Sequence, residues 1–177
     1  LCHERLDAGQ SSGHAEGWNH FLDRLVRFAK AGHAVPDEWN ATPEPADAIT
    51  AAEASLAVLQ LVLHHLQEKD LHAHPLPEFN VSQLVDHLAG NLALACKALG
   101  SEQADDPSLE PEPRIAQLAQ AALESFSARG LEGTLDPGFA MVPASVLSGI
   151  LTEFMVHGWD FAQATSQEFD VDPGLAE

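Results

Sequence analysis

Glu153 and His157 stand four residues apart in LSGILTEFMVHGWDFAQATSQ, a largely apolar stretch from Leu147 to Gln167. In a helix that spacing is about one turn, so the two side chains share a face. Val146, Ile150, Glu153 and His157 form one row, and His157 is also in register with Ile150, Phe154 and Phe161. The sequence therefore aims His157 at the core. An ionised carboxylate on such a face costs several kcal/mol unless it is paired or bound to a cation.

The chain supplies its own controls, because Glu16 with His20 and Glu68 with His72 repeat the spacing. The first pair falls on the charged side of an amphipathic segment, and the second lies in EKDLHAHP, where a proline ends the helix. Both read as solvated side chains. His64 and His65, and His74 beside His72, read as surface histidines for similar reasons.

His87 passes the test that these fail. In VSQLVDHLAGNLALA it lies three residues after Leu84, beside Leu88 and four before Asn91, so it points inward or at a seam between helices. His87, Glu153 and His157 would give a divalent metal three ligands, at about 2.0 to 2.2 Å for zinc, with an open position for water or substrate. The other reading of these residues is two core histidines satisfied by hydrogen bonds, with Glu153 at the edge. Spacing alone leaves both standing.

Four helices must position these side chains. The pattern predicts them at about Ile49 to Glu68, Val81 to Leu99 with Asn80 or Ser82 as cap, Arg114 to Ala128 closed by Gly130, and Pro143 to Gln167. GSEQADDPSLEPEP reads as an exposed loop, acidic and proline-rich. The predicted fold class is all-α, a four-helix bundle whose two long connections imply a non-trivial topology. An amphipathic helix from about Ala15 to Lys30 precedes it, with Trp18, Phe21, Leu22, Leu25 and Phe28 on one face. The turn-like DAGQSSG and a short strand LCHERL come before that helix, and HAVPDEWNATPEPADA reads as a linker. The exposed apolar face predicts either a homodimer or packing of this helix onto the bundle.

Eight Lys and Arg against 27 Asp and Glu give a formal charge of −19 among 177 residues. Such a chain repels nucleic acid and anionic membrane surfaces. No apolar run has the length of a membrane span and no signal segment opens the sequence, so a soluble, cytoplasmic protein is expected. Cys2 and Cys96 form neither a disulfide framework nor a metal knuckle, and Cys96 reads as a buried helix residue. The first residue is Leu1, which suggests a piece of a longer polypeptide.

From EKDLHAHPLPEFNVSQLVDHLAG through GTLDPGFAMVPASVLSGILTEFMVHGWDFAQATSQ the chain resembles the DinB-like metal-binding superfamily. The similarity is to its branch around the N-terminal domain of mycothiol-dependent maleylpyruvate isomerase, and within that to an uncharacterised actinobacterial-type family. PEFNVSQLVDHL carries one motif; Glu153, His157, Gly158, Trp159, Asp160, Ala162 and Ala164 carry the more specific second one. The resemblance implies a zinc ion on His87, Glu153 and His157, mycothiol as cofactor, and thiol-dependent transfer or isomerisation of a small electrophile. It implies no DNA binding. Asp160, three residues after His157, reads either as orienting that histidine or as a helix-surface acid, Trp159 would pack, and Gly158 would allow close helix approach. Two departures are HPLP, where relatives often have Pro-Cys, and Ser166, where they have Gly. Relatives continue past the last helix, so a C-terminal piece is expected beyond VDPGLAE. Residues 1–32, with HERL and GWNHFLDRL, resemble the end of an SRPBCC or START-like domain. The implied organisation is that remnant at 1–32, a linker at 33–48 and a DinB-like domain at 49–177. The competing function is a non-enzymatic metal-binding, sensing or interaction module fused to a START-like domain.

Overall fold

The structure, a computed structural model, describes residues 8–32, 47–135 and 141–171. Cys2, the LCHERL segment and most of the predicted linker lie outside them. Five α-helices, one 3₁₀ helix and no strand occur among the described residues, so the all-α reading holds. Contacts divide the chain into residues 1–41 and 42–177. No helix among the described residues is long and apolar enough to cross a membrane.

The first unit contains α1 (Ala8–Ala31). It begins seven residues before the predicted start at Ala15, so the segment read as a turn is largely helical. Adding residues to an existing helix costs far less than nucleating one, so the strong amphipathic stretch downstream can carry weak formers such as Gly9 and Gly13. Trp18, Phe21, Leu22, Leu25 and Phe28 are all exposed.

The second unit contains α2 (Ala48–His64), a 3₁₀ helix (Glu68–His72), α3 (Val81–Ala98), α4 (Pro111–Arg129) and α5 (Pro143–Thr165). α2 touches α4 and α5, and α3 touches the same two, so α2 and α3 lie across the core from each other. Their link must cross the bundle, and residues 65–80 do so with the 3₁₀ turn on the way. Leu59 of α2, Leu88 of α3, Leu118 and Phe126 of α4, and Phe154 and Phe161 of α5 are sealed in the shared core. Each contributes about 1.5 to 3 kcal/mol by leaving water.

Helix ends follow local chemistry. Asn80 caps α3, its side chain accepting from the Gln83 N–H at 2.8 Å while Gln83 accepts from the Asn80 N–H at 3.0 Å. α2 stops at His64, short of the predicted Glu68, because Asp70 accepts from the Gln67 N–H at 3.0 Å and starts the 3₁₀ turn. α4 begins at Pro111, three residues before the predicted Arg114. Pro111 and Pro113 fit its first turn because N–H groups there have no helical partner to lose. Gly130 ends α4 at φ 82°.

α5 closes on Ser166 at φ 57° and ψ 36°, the only non-glycine with positive φ among the described residues. That is the position where the resemblance has Gly, and the left-handed conformation costs a residue with a Cβ about 1 kcal/mol. Ser166→Gly is accordingly expected to raise the unfolding free energy by roughly 0.5 to 1 kcal/mol. Urea denaturation would read this as a higher midpoint at unchanged slope; a lower midpoint would contradict it.

Candidate metal centre

The contact between α3 and α5 brings the three predicted ligands together. On α3, the buried Leu84 and Leu88 flank His87 and hold it at the seam with α5. On α5, buried Ile150 and Phe154 bracket Glu153 in the same way. The His157 side chain is 13% exposed, Glu153 29% and His87 37%, so the cluster grades from core to surface.

Glu153 Oε2 lies 3.1 Å from His157 Nε2 and 3.5 Å from His87 Nε2. The imidazole rings of His87 and His157 stand edge to face, with centroids 5.4 Å apart. One ligand atom from each of the three residues falls within 4.8 Å of the other two. Around a tetrahedral zinc, neighbouring ligand atoms are about 3.3 Å apart, given bonds of about 2.0 to 2.1 Å. The two distances from the carboxylate oxygen straddle that value.

Hydrogen bonding sharpens the fit. Glu153 Oε2 is buried and has no hydrogen-bond partner, despite two ring nitrogens in its first shell of neighbours. The imidazoles therefore do not aim an N–H along the line to the oxygen. His157 Nδ1 lies 3.0 Å from Asp160 Oδ2, and the carboxylate can only accept, so Nδ1 carries the proton. In the neutral ring the Nε2 lone pair points where an N–H would, beside the Glu153 oxygen and off the line to it. On His87, Nε2 lies 3.1 Å from Asn91 Nδ2, an amide donor, so its one lone pair accepts from Asn91, and a metal there would displace that hydrogen bond. The His157 nitrogen, the His87 nitrogen once released from Asn91, and the Glu153 oxygen lie close enough to share one cation. Three such donors around one point are a donor set for a cation.

Asp160 occupies the orienting position: its side chain is 5% exposed and it holds His157 by the nitrogen away from the cluster. Trp159 does not pack; it is exposed, because the two residues that separate it from His157 carry it about 200° round the helix, away from the α3 seam. Gly158 does allow a close approach, but of the chain beyond α5: a Cβ there would lie 2.5 Å from Phe169 Cε2. Phe169 packs against the core and covers that side of α5. Sequence reasoning also missed Phe79, whose ring sits 5.5 Å from that of His87 and limits its swing. Only the adjacency of Phe79 to the Asn80 cap hinted at its location.

Four other histidines of the same unit stay outside the cluster. His64, His65, His72 and His74 are exposed, as is Glu68, and His65 Nδ1 lies against the Leu61 carbonyl at 2.7 Å. The Glu16 side chain lies outside the described residues. Cys96 is buried, donates to the Leu118 carbonyl at 3.3 Å, and has its thiol pushed up by burial. It remains a protonated thiol, unsuited to nucleophilic work. A groove of about 600 Å³ between α2 and α4, lined by Glu53, Gln60 and Glu124 among others, includes none of the three candidate ligands.

No protein-family model matches the chain, and no solved structure matches it. Two uncharacterized proteins from two strains of Mycobacterium tuberculosis are 31% identical to it over 114 residues. The match covers 58% of this chain and 58% of each relative.

Proposed function

We propose that His87, Glu153 and His157 hold a divalent metal, zinc by the character of the donor set, in a DinB-like bundle that runs thiol-dependent chemistry on a small electrophile. The observation that carries the metal is the buried, unpartnered Glu153 oxygen facing two ring nitrogens. The thiol, with mycothiol as its candidate, rests on the motif resemblance described above.

When bound, such a cation supplies Lewis acidity and lowers the pKa of a thiol in its open position. The residues set the conditions for this. Two neutral imidazoles and one carboxylate leave a divalent ion one net positive charge, enough to favour a thiolate over a thiol. Asp160 fixes the His157 tautomer, so the Nε2 lone pair stays directed at the site. Phe79 restrains the His87 ring by shape, and the Asn91 amide holds its Nε2 until a metal would take that lone pair. The thiolate would form a bond from sulfur to an electrophilic carbon, displacing electrons onto the electron-withdrawing group. Reversal after rotation gives isomerisation; departure of another group gives transfer.

A second reading, a metal-binding or sensing module attached to an SRPBCC-type domain, draws support from the exposed Trp18, Leu25 and Phe28 on α1. A second copy of the chain is one partner such a face could meet. Titrating the cobalt-substituted full-length protein with mycothiol separates the two. A thiolate-to-metal charge-transfer band is expected. Cobalt binding without any such band would remove the mechanism and leave the module.

A further inference from the structure

An open cavity of about 290 Å³ lies between α3 and the first half of α5, with Glu153 at one end. Leu94, Ala95, Met141, Val146 and Ile150 supply its apolar walls. Among the described residues, Asn91 and Ser145 are its neutral polar ones and Glu153 its one charged one. Asn91 also touches His87, so the cavity and the candidate metal centre share two side chains or their immediate neighbours.

From this lining we infer that the molecule seated beside the centre is uncharged and largely apolar over the part that fills the cavity, with one hydrogen-bonding group for Asn91 or Ser145. No Lys or Arg among the described residues lines the space, so a carboxylate lying there gains no counter-charge from a side chain. In the metal-free protein Glu153 and the net charge of −19 add repulsion. Ligand cavities run from roughly 300 to 1,000 Å³, which puts this one at the small end and suits a single ring or a short branched chain. The inference rests on the metal–thiol reading for what happens to the ligand, but its own content is the chemistry of the cavity.

Gly149 gives the means to test it. It lines the cavity, is exposed, and has nothing within 4 Å of where a Cβ would stand. Gly149→Leu would therefore fill the cavity; it stands one turn before Glu153 on the same face, so zinc affinity would be measured alongside to show that the ligands are undisturbed. Replacing a mid-helix Gly also favours the helix, so the variant should fold.

The metal-free full-length protein, labelled at the methionine methyl groups, would be titrated with benzyl alcohol and with para-(hydroxymethyl)benzoate. Met141→Leu would assign the Met141 signal. Benzyl alcohol is expected to shift the Met141 methyl resonance saturably and at least tenfold more tightly than the carboxylate analogue. Gly149→Leu should weaken benzyl alcohol at least tenfold, and Gly149→Ala by less. An unmoved Met141 signal, equal or tighter binding of the carboxylate, or unchanged affinity in Gly149→Leu would overturn the inference. This readout needs no thiol, so it can fail while the cobalt–thiol band appears, and the reverse.

Discussion

His157→Ala is expected to weaken zinc or cobalt binding by well over 100-fold, and Asp160→Ala by roughly 10- to 100-fold, the usual cost of losing the partner that orients a ligand. The first removes one of three donors. The second leaves every donor in place but frees the His157 ring, whose Nδ1 then lacks the acceptor at 3.0 Å that fixes its tautomer. Asp160→Asn, which keeps an oxygen acceptor and loses the charge, should fall between wild type and Asp160→Ala. Competition against a chromophoric chelator would rank the four proteins, with circular dichroism confirming that each is folded. A graded series separates a metal centre from a pair of core histidines, which would bind nothing. Equal affinity in wild type and His157→Ala would remove these residues from the site.

Glu153→Gln sharpens the same distinction in chelator-treated protein. If Glu153 and a protonated histidine formed an ion pair, neutralising the carboxylate would destabilise the fold. With neither imidazole donating to the unpartnered oxygen, an amide there should leave stability unchanged or raise it by about 1 kcal/mol. A clear loss in thermal stability would favour the ion pair.

The candidate ligands were legible because helical periodicity depends only on nearby residues. Ile150, Glu153, Phe154 and His157 define a face without knowledge of what lies opposite, and Leu84, His87 and Leu88 do the same. That α3 and α5 are the helices that meet was not legible, nor was the cavity they leave around Asn91 and Ser145. Trp159 shows the limit of a motif: its spacing places it near the ligands in sequence, while two steps round the helix from His157 expose it. Gly158 was understood as a need for space, but the occupant, Phe169, comes from beyond the helix end. Helix starts at Ala8 and Pro111 were missed because Gly, Ser and Pro were taken as breakers in positions where an established helix tolerates them.

Arg114 was legible only as a helix boundary, yet its replacement by methionine is expected to cost roughly 2 to 4 kcal/mol, the range for breaking a largely buried ion pair from one side. Its side chain is 9% exposed and donates Nε and Nη2 to the two oxygens of Asp105, both at 2.7 Å, and Nη1 to Asp86 at 2.6 Å. Asp105 comes from the acidic connection read as a plain exposed loop, so Arg114 ties that loop to α3 and α4 together. Asp86 precedes His87, so the same side chain steadies the turn that carries a candidate ligand. Most of the loss belongs to Asp105, because Asp86 is 62% exposed and screened by water. The Arg114 guanidinium holds the Asp105 carboxyl below the usual carboxylate range. A depressed folded pKa gives stability that is complete above the unfolded value, about 3.9, and is lost as pH falls through the lower folded value. Wild type should therefore lose stability below about pH 4 more steeply than Asp105→Asn, which has no carboxyl to titrate there. Urea unfolding from neutral pH down through that window would measure both effects. An Arg114→Met protein as stable as wild type, or parallel pH curves for wild type and Asp105→Asn, would show that the bidentate pair contributes nothing beyond what solvent supplies.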